Sequence, residues 1–341
     1  MTDVQAVLRE APEARRRLGT LAQLARVDRF TEDDGPARGT RRIRLVTGGG
    51  LEADIHPDRA LDLGQVTYRG VPVAWMSPVG MSSPHLADSH GTEWLRSFGG
   101  GLLATCGLDT FGPPSVEDGV EYPMHGRIGV VPASVTETSV SGGSLRVAGE
   151  VRQTRVFGEN LMLRREITAD VGGSELRIVD TVTNEGTDPV GHMILYHANL
   201  GWPLLDERAN LEIPSKRVLP RDAAAESGAA RWHEIEPPQA GYAEQVFLHD
   251  MRGETGPAVI DNPELGIRCE LAFDTTTLPA LHQWKMSGEG HYVMGLEPSN
   301  LLHIHGRAAA RAERALPTLA PGASVRYALS FRFSESNGAR R

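Results

Sequence analysis

Short runs of alternating apolar and polar residues recur along the chain after residue 35, and glycine or proline separates one run from the next. A two-residue period of this kind is typical of β-strands that bury one face. The clearest of the shorter runs are residues 41–46, 65–68, 71–75, 244–249, 258–261, 266–273, 292–296 and 325–333. Helical periodicity is absent from these stretches. They predict an all-β domain, a single large β-sandwich over residues 36–335.

The centre of the chain holds the longest runs, residues 161–169, 174–184 and 190–200. Glycines at 172–173 and at 186 provide turn signals between them. Three consecutive strands joined by tight turns predict an antiparallel meander with one face open to solvent.

Two parts of the chain lack this two-residue period. Between residues 8 and 27, apolar residues recur at helical spacing, which predicts a helix from about Ala14 to Arg26. Residues 1–35 are therefore assigned to a short N-terminal helical extension. Residues 77–126 are rich in glycine, proline and polar residues, with aromatic residues among them. This mixture predicts an ordered, packed segment of the kind that often carries function.

Composition and charge narrow the classes of function. The net charge of −9 argues against nucleic acid as the main partner. No run approaches the roughly 18 apolar residues of a membrane span, and the first ten residues lack an apolar signal core. We therefore expect a cytoplasmic protein with no nucleic-acid or membrane partner, and the sequence leaves monomer and homodimer open.

Sequence signatures of cofactor and metal sites are absent or incomplete. Residues 99–101 are three glycines, but neither a Walker lysine nor a Rossmann helix follows them. Cys106 and Cys269 make neither a zinc ligand set nor a disulfide framework. His303 and His305 can face the same side of a strand, without an obvious third ligand nearby. We predict no cofactor and no metal, and the two histidines stay a weak metal candidate.

Three positions combine a chemically useful side chain with residues that fix the backbone. His125 precedes Gly126 and Arg127, so a sugar or a backbone segment can approach closely beside a planar donor. His197 ends an apolar strand shortly before a Gly-Trp-Pro turn. Glu297 ends another apolar strand, where a carboxylate is costly to bury unless it is paired or functional. An ordinary loop histidine and a packed core histidine are the alternatives for His125 and His197.

The order of these positions along the chain resembles the galactose mutarotases, or aldose 1-epimerases. Residues 182–186 and 192–200 look like the stretch in which an asparagine turn leads into the strand of the catalytic histidine. Residues 262–284 resemble the late strand pair of that family, and residues 295–298 resemble the segment of its catalytic base. Residues 99–126 are similar to the glycine-rich, Gly-Pro-Pro and His-Gly sequence of the hexose-6-phosphate epimerase branch.

The likeness is greatest to a bacterial aldose-1-epimerase-like group of unsettled substrate, which shares the runs at residues 59–64 and 284–286. Two positions depart from the family pattern. Glu244 stands where an aspartate is usual. The arginine that precedes the first histidine in the family has no clean counterpart here, since Arg96 lies far upstream. The resemblance implies a galactose mutarotase-like β-supersandwich that brings the three candidate positions together.

The same resemblance implies an isomerase of carbohydrate metabolism that interconverts the α and β anomers of an aldose without a cofactor. Glu297 would be the ionised base that takes a proton from the anomeric hydroxyl, and His197 the protonated acid that gives one to the ring oxygen. His125 would hold a substrate oxygen, and Trp284 would stack on a sugar face.

The charge of the substrate and the class of function both keep alternatives. A pocket that binds an acidic substituent is favoured by three cationic residues, Arg127, Lys285 and Arg96. A neutral sugar is expected instead if nearby acidic residues neutralise these cations. A carbohydrate-binding or sensing protein would keep the pocket without catalysis. A keto-sugar isomerase or epimerase would need a metal or a second base, with His303 or His305 as the candidate residues.

Overall fold

Two large antiparallel sheets face each other in the computed structural model, which describes residues 16–303, 305–336 and 338. In chain order the strands are β1 (Arg26–Thr31), β2 (Arg41–Val46), β3 (Leu51–His56), β4 (Asp62–Tyr68), β5 (Val71–Pro72), β6 (Leu103–Leu108), β7 (Ser115–Glu117), β8 (Val120–Tyr122), β9 (Ser134–Ser141), β10 (Ser144–Thr154), β11 (Asn160–Asp170), β12 (Glu175–Asn184), β13 (Val190–Gly191), β14 (Met193–Gly201), β15 (Asn210–Glu212), β16 (Arg217–Pro220), β17 (Gln245–Asp250), β18 (Ala258–Asn262), β19 (Ile267–Phe273), β20 (Ala280–Gly288), β21 (His291–Ser299), β22 (Thr318–Leu319) and β23 (Ser324–Glu335). The α-helices after residue 17 are α1 (Ala223–Gly228) and α2 (Arg307–Ala312), and short 3-10 turns lie at Leu21–Gln23, Gly35–Ala37, Pro57–Arg59, Pro84–Leu86, Glu93–Arg96, Ile128–Val130 and Ala229–Arg231.

The spatial order of the strands confirms the predicted β-sandwich. The first sheet runs β1-β2-β3-β4-β6-β14-β21-β20-β17-β16, with β5 beside β4, and the second runs β15-β18-β19-β23-β12-β11-β10-β9. The short pairs β7–β8 and β13–β22 stand apart from both. No helix within the described residues is long and apolar enough to span a membrane.

Alternation of buried and less buried side chains explains how the second sheet covers the first. Every second residue of β12 is buried, and Leu145, Val147 and Val151 of β10 are fully buried. The apolar residues among them join Leu45 and Ile55 of the first sheet in one core between the sheets. Burial of this apolar surface is the main source of stability for such a sandwich.

The meander predicted at the centre of the chain is wrong at its third strand. β11 and β12 pair as antiparallel neighbours. β14 instead crosses to the first sheet, where it pairs with β6 and β21. All of its residues, Met193–Gly201, are buried. A strand that is covered on both faces has no solvent-facing side, which explains its nearly continuous apolar sequence.

The helix predicted to end at Arg26 is wrong in its second half. Residues 16 and 17 are helical, but Leu21–Gln23 forms a 3-10 turn and Arg26 begins β1, which pairs with β2. Residues 1–15, which include the predicted start of the helix, lie outside the described residues. The boundary of the N-terminal extension at residue 35 stays a prediction.

Residues 77–126 are ordered, as their aromatic residues predict. This segment contains β6, the β7–β8 hairpin and two 3-10 turns. Phe98, Leu102 and Phe111 within it are buried. The segment therefore packs onto the first sheet rather than extending into solvent.

A buried ionic network links the two sheets on the core side of β14. Arg165 of β11 donates two hydrogen bonds to Asp180, at 2.9 and 2.6 Å, and one to Asp62 at 2.8 Å. It also donates to the hydroxyl of Thr105, and the hydroxyl of Tyr196 donates to Asp180. The guanidinium side chain is fully buried. Since Thr105 and Tyr196 lie on β6 and β14, the network fixes these strands against the second sheet.

Candidate active site

A pocket of about 340 Å³ opens on the face of the first sheet that points away from the core. Side chains alternate along a strand, so Tyr196 and Leu296 point into the core while their neighbours His197 and Glu297 point into the pocket. The residues that line the pocket are Trp94, Leu95, Phe98, Phe111, Gly112, Pro113, Met124, His125, Leu195, His197, Arg221, Glu244, Val246, His282, Trp284, Glu297 and His305.

His197 and Glu297 lie side by side on the floor of this pocket. Ala198 of β14 is opposite Leu296 of β21, and this register places His197 opposite Glu297. Nε2 of His197 is 3.3 Å from Oε1 of Glu297, and only 6% of each side chain is exposed. The two atoms are within ion-pair reach, yet Oε1 has no well-aligned hydrogen-bond partner in the described chain. The pair is close enough to exchange a proton and still presents an oxygen to a ligand.

His125 reaches the same pocket from the loop that follows β8. Its backbone is left-handed, with φ of 58°, and its ring lies edge-on to the ring of His197 at 5.5 Å between centroids. Gly126 lets the loop approach β6, because a Cβ at this position would lie 2.3 Å from the carbonyl oxygen of Gly107. Burial lowers the pKa of His125 to about 4. The ring is therefore neutral and can hydrogen-bond a ligand oxygen.

Aromatic rings form the walls of the pocket. Trp94 stacks on Phe98 at 4.2 Å between centroids. Trp284 lies edge-on to His197 at 5.5 Å, and Phe98 lies 5.0 Å from the same ring. An apolar, aromatic lining with a few polar groups at the floor is typical of sites for small organic ligands.

Burial determines the charge that the central pair prefers in this pocket. It raises the pKa of Glu297 well above the usual value, and the nearby Glu244 carboxylate adds to the rise. It lowers the pKa of His197 well below the usual value, helped by the adjacent His125. Both changes oppose the charged pair expected from sequence and favour a protonated Glu297 beside a neutral His197. In either arrangement the pair holds one proton, so it offers one acid and one base.

Glu244 lines the pocket, as expected from the resemblance, but it is already engaged. Arg221 donates to one of its carboxylate oxygens at 2.9 Å, and Nε1 of Trp284 donates to the other at 2.9 Å. Arg221 also contacts Asp222 at 2.7 Å. Glu244 therefore fixes the Trp284 ring, and the Arg221 charge is matched by two carboxylates.

Lys285 does not reach the pocket. It follows Trp284 in β20, so its side chain points to the opposite face of the sheet. Its Nζ lies 2.9 Å from Oε2 of Glu236 and donates to the carbonyl of Arg231 at 3.1 Å. Lys285 therefore forms a buried ion pair with Glu236. It does not make the substrate contact that is expected from the sequence.

Arg127 and Arg96 also lie outside the pocket. Arg127 turns away from His125, donates to the Glu121 carbonyl at 3.0 Å and approaches Asp109 at 3.7 Å. Arg96 is exposed and pairs with Glu93, one turn earlier, at 2.9 Å. The positive charge expected at the pocket from these two residues is therefore absent there.

Sequence reasoning missed several residues that line the pocket, among them His282, Arg221, Phe111 and His305. One signal for His282 was available, because it stands two residues before Trp284 in a strand and so shares its face. Arg221 and Phe111 come from loops whose paths the sequence does not reveal.

The rings of His303 and His305 lie edge-on to each other at 5.8 Å between centroids, and each residue also has other contacts. Nε2 of His303 lies 3.1 Å from a carboxylate oxygen of Glu313, and the backbone nitrogen of His305 donates to Nδ1 of His303. His305 instead lines the pocket. No group of three histidine, cysteine, aspartate or glutamate side chains placed to hold a metal ion occurs in residues 16–303, 305–336 and 338.

The chain matches one family model in sequence and several solved structures in fold. The model of a family described as a domain of unknown function, DUF4432, matches residues 37–333. A provisionally assigned aldose 1-epimerase from Klebsiella pneumoniae is 26% identical and superposes with a TM-score of 0.85 over 92% of this chain and 84% of its own. No curated protein matches the chain in sequence.

More distant solved structures share the fold. A galactose 1-epimerase from Lactobacillus acidophilus is 14% identical, with a TM-score of 0.61 over 92% of this chain and all of its own. A galactose mutarotase-like protein from Lactobacillus casei is 14% identical, with a TM-score of 0.57 over 84% of this chain and 97% of its own.

Proposed function

The chain belongs to the DUF4432 family and to the galactose mutarotase-like superfamily, and we propose that it interconverts the α and β anomers of an aldose. The observation that carries this proposal is the 3.3 Å approach of His197 Nε2 to Glu297 Oε1 on the floor of the aromatic pocket. A binding protein has no need to bury an acid–base pair whose carboxylate oxygen has no hydrogen-bond partner among the described residues, because that arrangement is costly.

Anomer exchange requires one proton to leave the anomeric hydroxyl and another to reach the ring oxygen. Glu297 accepts the first proton, His197 donates the second, and the bond between the anomeric carbon and the ring oxygen breaks. The open-chain aldehyde rotates about its C1–C2 bond. The reverse transfers then close the ring on its other face and restore both groups without a cofactor.

The proton of the pair must lie on His197 before the ring opens. Burial favours its position on Glu297, but the 3.3 Å separation allows direct transfer to His197 when a substrate hydroxyl approaches the carboxylate. A raised pKa also makes Glu297 a stronger base toward a sugar hydroxyl. His125, 5.5 Å from His197 between ring centroids, is placed to hold another substrate oxygen.

Exchange NMR on a panel of aldoses at equilibrium tests the proposed reaction. Addition of the protein is expected to produce exchange cross-peaks between the α and β anomeric signals of at least one aldose, beyond the spontaneous rate measured in the same buffer. Polarimetry of a freshly dissolved pure anomer provides a second readout. Acceleration of no aldose in the panel by either method would contradict the proposal.

We expect kcat/KM to follow a bell-shaped pH profile with a broad plateau. Activity falls at low pH when both groups of the pair are protonated, and at high pH when neither is. Burial lowers the pKa of His197 and raises that of Glu297. The acid limb should therefore lie below the usual range of histidine, and the alkaline limb above the usual range of glutamate.

The His197→Gln variant provides the control for this profile. Without the acid, the residual rate depends only on ionised Glu297, so it should rise with pH and lose its alkaline limb. An unchanged bell in His197→Gln would show that other groups titrate.

We expect a neutral aldose to be preferred over its 6-phosphate or uronate by about tenfold or more, equivalent to about 1.4 kcal/mol. Arg221, the arginine of the pocket lining, is matched by Glu244 and Asp222, so an added anion meets repulsion from the acidic groups. Measuring kcat/KM for both sugars at low and moderate salt checks this ratio. Arg127→Ala and Arg96→Ala should leave it unchanged. A preference for the anion that shrinks with salt would contradict it.

A further inference from the structure

A second histidine stands beside Glu297, on the side away from His197. In β20 and β21, His282 is directly opposite Glu297, so the three side chains form one row across β14, β21 and β20. His282 lines the pocket and is 5% exposed. Its Nε2 atom is buried without a hydrogen-bond partner in the part of the chain that the structure describes.

The surroundings of the His282 ring favour the tautomer in which this free nitrogen is the acceptor. The backbone of Leu301 interacts with the ring and raises the pKa of His282, which is the effect of a carbonyl that accepts the ring N–H. Burial has the larger effect and lowers this pKa to about 3. Phe111 packs edge-on against the ring at 5.5 Å between centroids. A neutral imidazole that donates through one nitrogen can only accept through the other.

A buried acceptor without a partner is costly, and the cost is removed when a ligand supplies a donor. The order of the row indicates which donor this is. Side chains at directly opposite strand positions have Cβ atoms about 4.5–5.5 Å apart, so neighbouring members of the row reach neighbouring atoms of one ligand. In a pyranose, the anomeric carbon lies between the ring oxygen and C2. With Glu297 at the anomeric hydroxyl and His197 at the ring oxygen, His282 faces the C2 side.

We propose that His282 is a specificity-determining residue that accepts a hydrogen bond from the 2-hydroxyl of the sugar. The protein then selects aldoses with a free 2-hydroxyl and discriminates against 2-deoxy sugars. This inference rests on the proposed function, because the position of the anomeric hydroxyl at Glu297 sets the position of C2.

The test compares an accepted aldose with its 2-deoxy and 6-deoxy analogues in the wild type, His282→Asn and His282→Gln. Asparagine keeps a donor for Leu301 but does not reach the position of Nε2, whereas glutamine extends an amide oxygen to that position. Each kcat/KM is divided by the spontaneous rate of the same sugar. This division removes the intrinsic reactivity of the deoxy compounds.

The wild type is expected to prefer the parent sugar over the 2-deoxy analogue by about 10–100-fold, the effect of leaving one buried acceptor unpaired. His282→Asn should reduce this ratio to within about threefold of unity, and His282→Gln should retain most of it. The ratio for the 6-deoxy analogue should stay the same in all three proteins. A 2-deoxy ratio that does not change in His282→Asn would overturn the assignment while the proposed reaction stands.

Equilibrium binding, measured by calorimetry on the same proteins and sugars, separates this inference from the reaction itself. Discrimination between parent and 2-deoxy sugar in binding, lost in His282→Asn and kept in His282→Gln, supports the His282 assignment even if no anomer exchange occurs. Equal binding of the two sugars by the wild type, together with equal turnover, would refute it.

Discussion

Replacing Glu297 with glutamine is expected to lower kcat by about 10²–10⁴-fold with little change in KM, which is the usual contribution of a general base. Glutamine has the size of glutamate, so the pocket keeps its shape. It cannot accept the anomeric proton, however, and the proton shared with His197 at 3.3 Å is lost. The loss therefore falls on the chemical step, and steady-state anomer exchange corrected for the spontaneous rate measures it.

Glu289→Gln is the matched control for this variant. Glu289 lies in the exposed turn of the β20–β21 hairpin that also carries Glu297, so the same chemical change is made outside the pocket. This control should retain wild-type kcat. Near-normal turnover in Glu297→Gln would rule out the assigned base.

Arg165→Met is expected to lower the free energy of unfolding by about 3–5 kcal/mol. Methionine fills much of the arginine volume but leaves the Asp62 and Asp180 carboxylates buried without their cation. An uncompensated buried charge is much more costly than the loss of a surface pair. Denaturant titration followed by tryptophan fluorescence measures the change from the shift of the midpoint.

The neighbouring Arg164 offers a control for the same substitution. Its side chain is 48% exposed and pairs with Glu150 and Glu185 on the outer face, so Arg164→Met should cost less than about 1 kcal/mol. Adding Asp62→Asn and Asp180→Asn to Arg165→Met should recover part of the lost stability, because no buried charge remains. Equal losses in the two single variants would contradict an ionic role for Arg165.

The strands that bury one face could be predicted from sequence, whereas the partner of a fully buried strand could not. Residues 41–46 coincide with β2, and residues 174–184 nearly coincide with β12, because alternation marks their two faces. β14 has apolar side chains toward both the core and the pocket, so its sequence does not indicate which face packs against the other sheet. The choice of sheet depends on distant strands, β6 and β21, which no local pattern reveals.

Which predicted residues reach the pocket depends on the face of the strand from which each side chain extends. His125, His197 and Glu297 come together as expected, although His197 and Glu297 lie within β14 and β21 rather than at the ends of those strands. Lys285 lies outside the pocket because adjacent residues of a strand face opposite ways, and its neighbour Trp284 is the one that faces the pocket.

The interleaving of pocket and core residues along β14, β20 and β21 has a consequence for how this protein can evolve. Under the proposed function, substitutions at His282 or Trp284 are expected to alter sugar recognition. Their neighbours Leu281 and Gln283 are buried on the other face of β20 and would continue to support the fold. Insertion of one residue would exchange the two sets and destroy both properties together. Relatives that act on other sugars should therefore diverge at alternate positions of these strands, while the strands themselves keep their length.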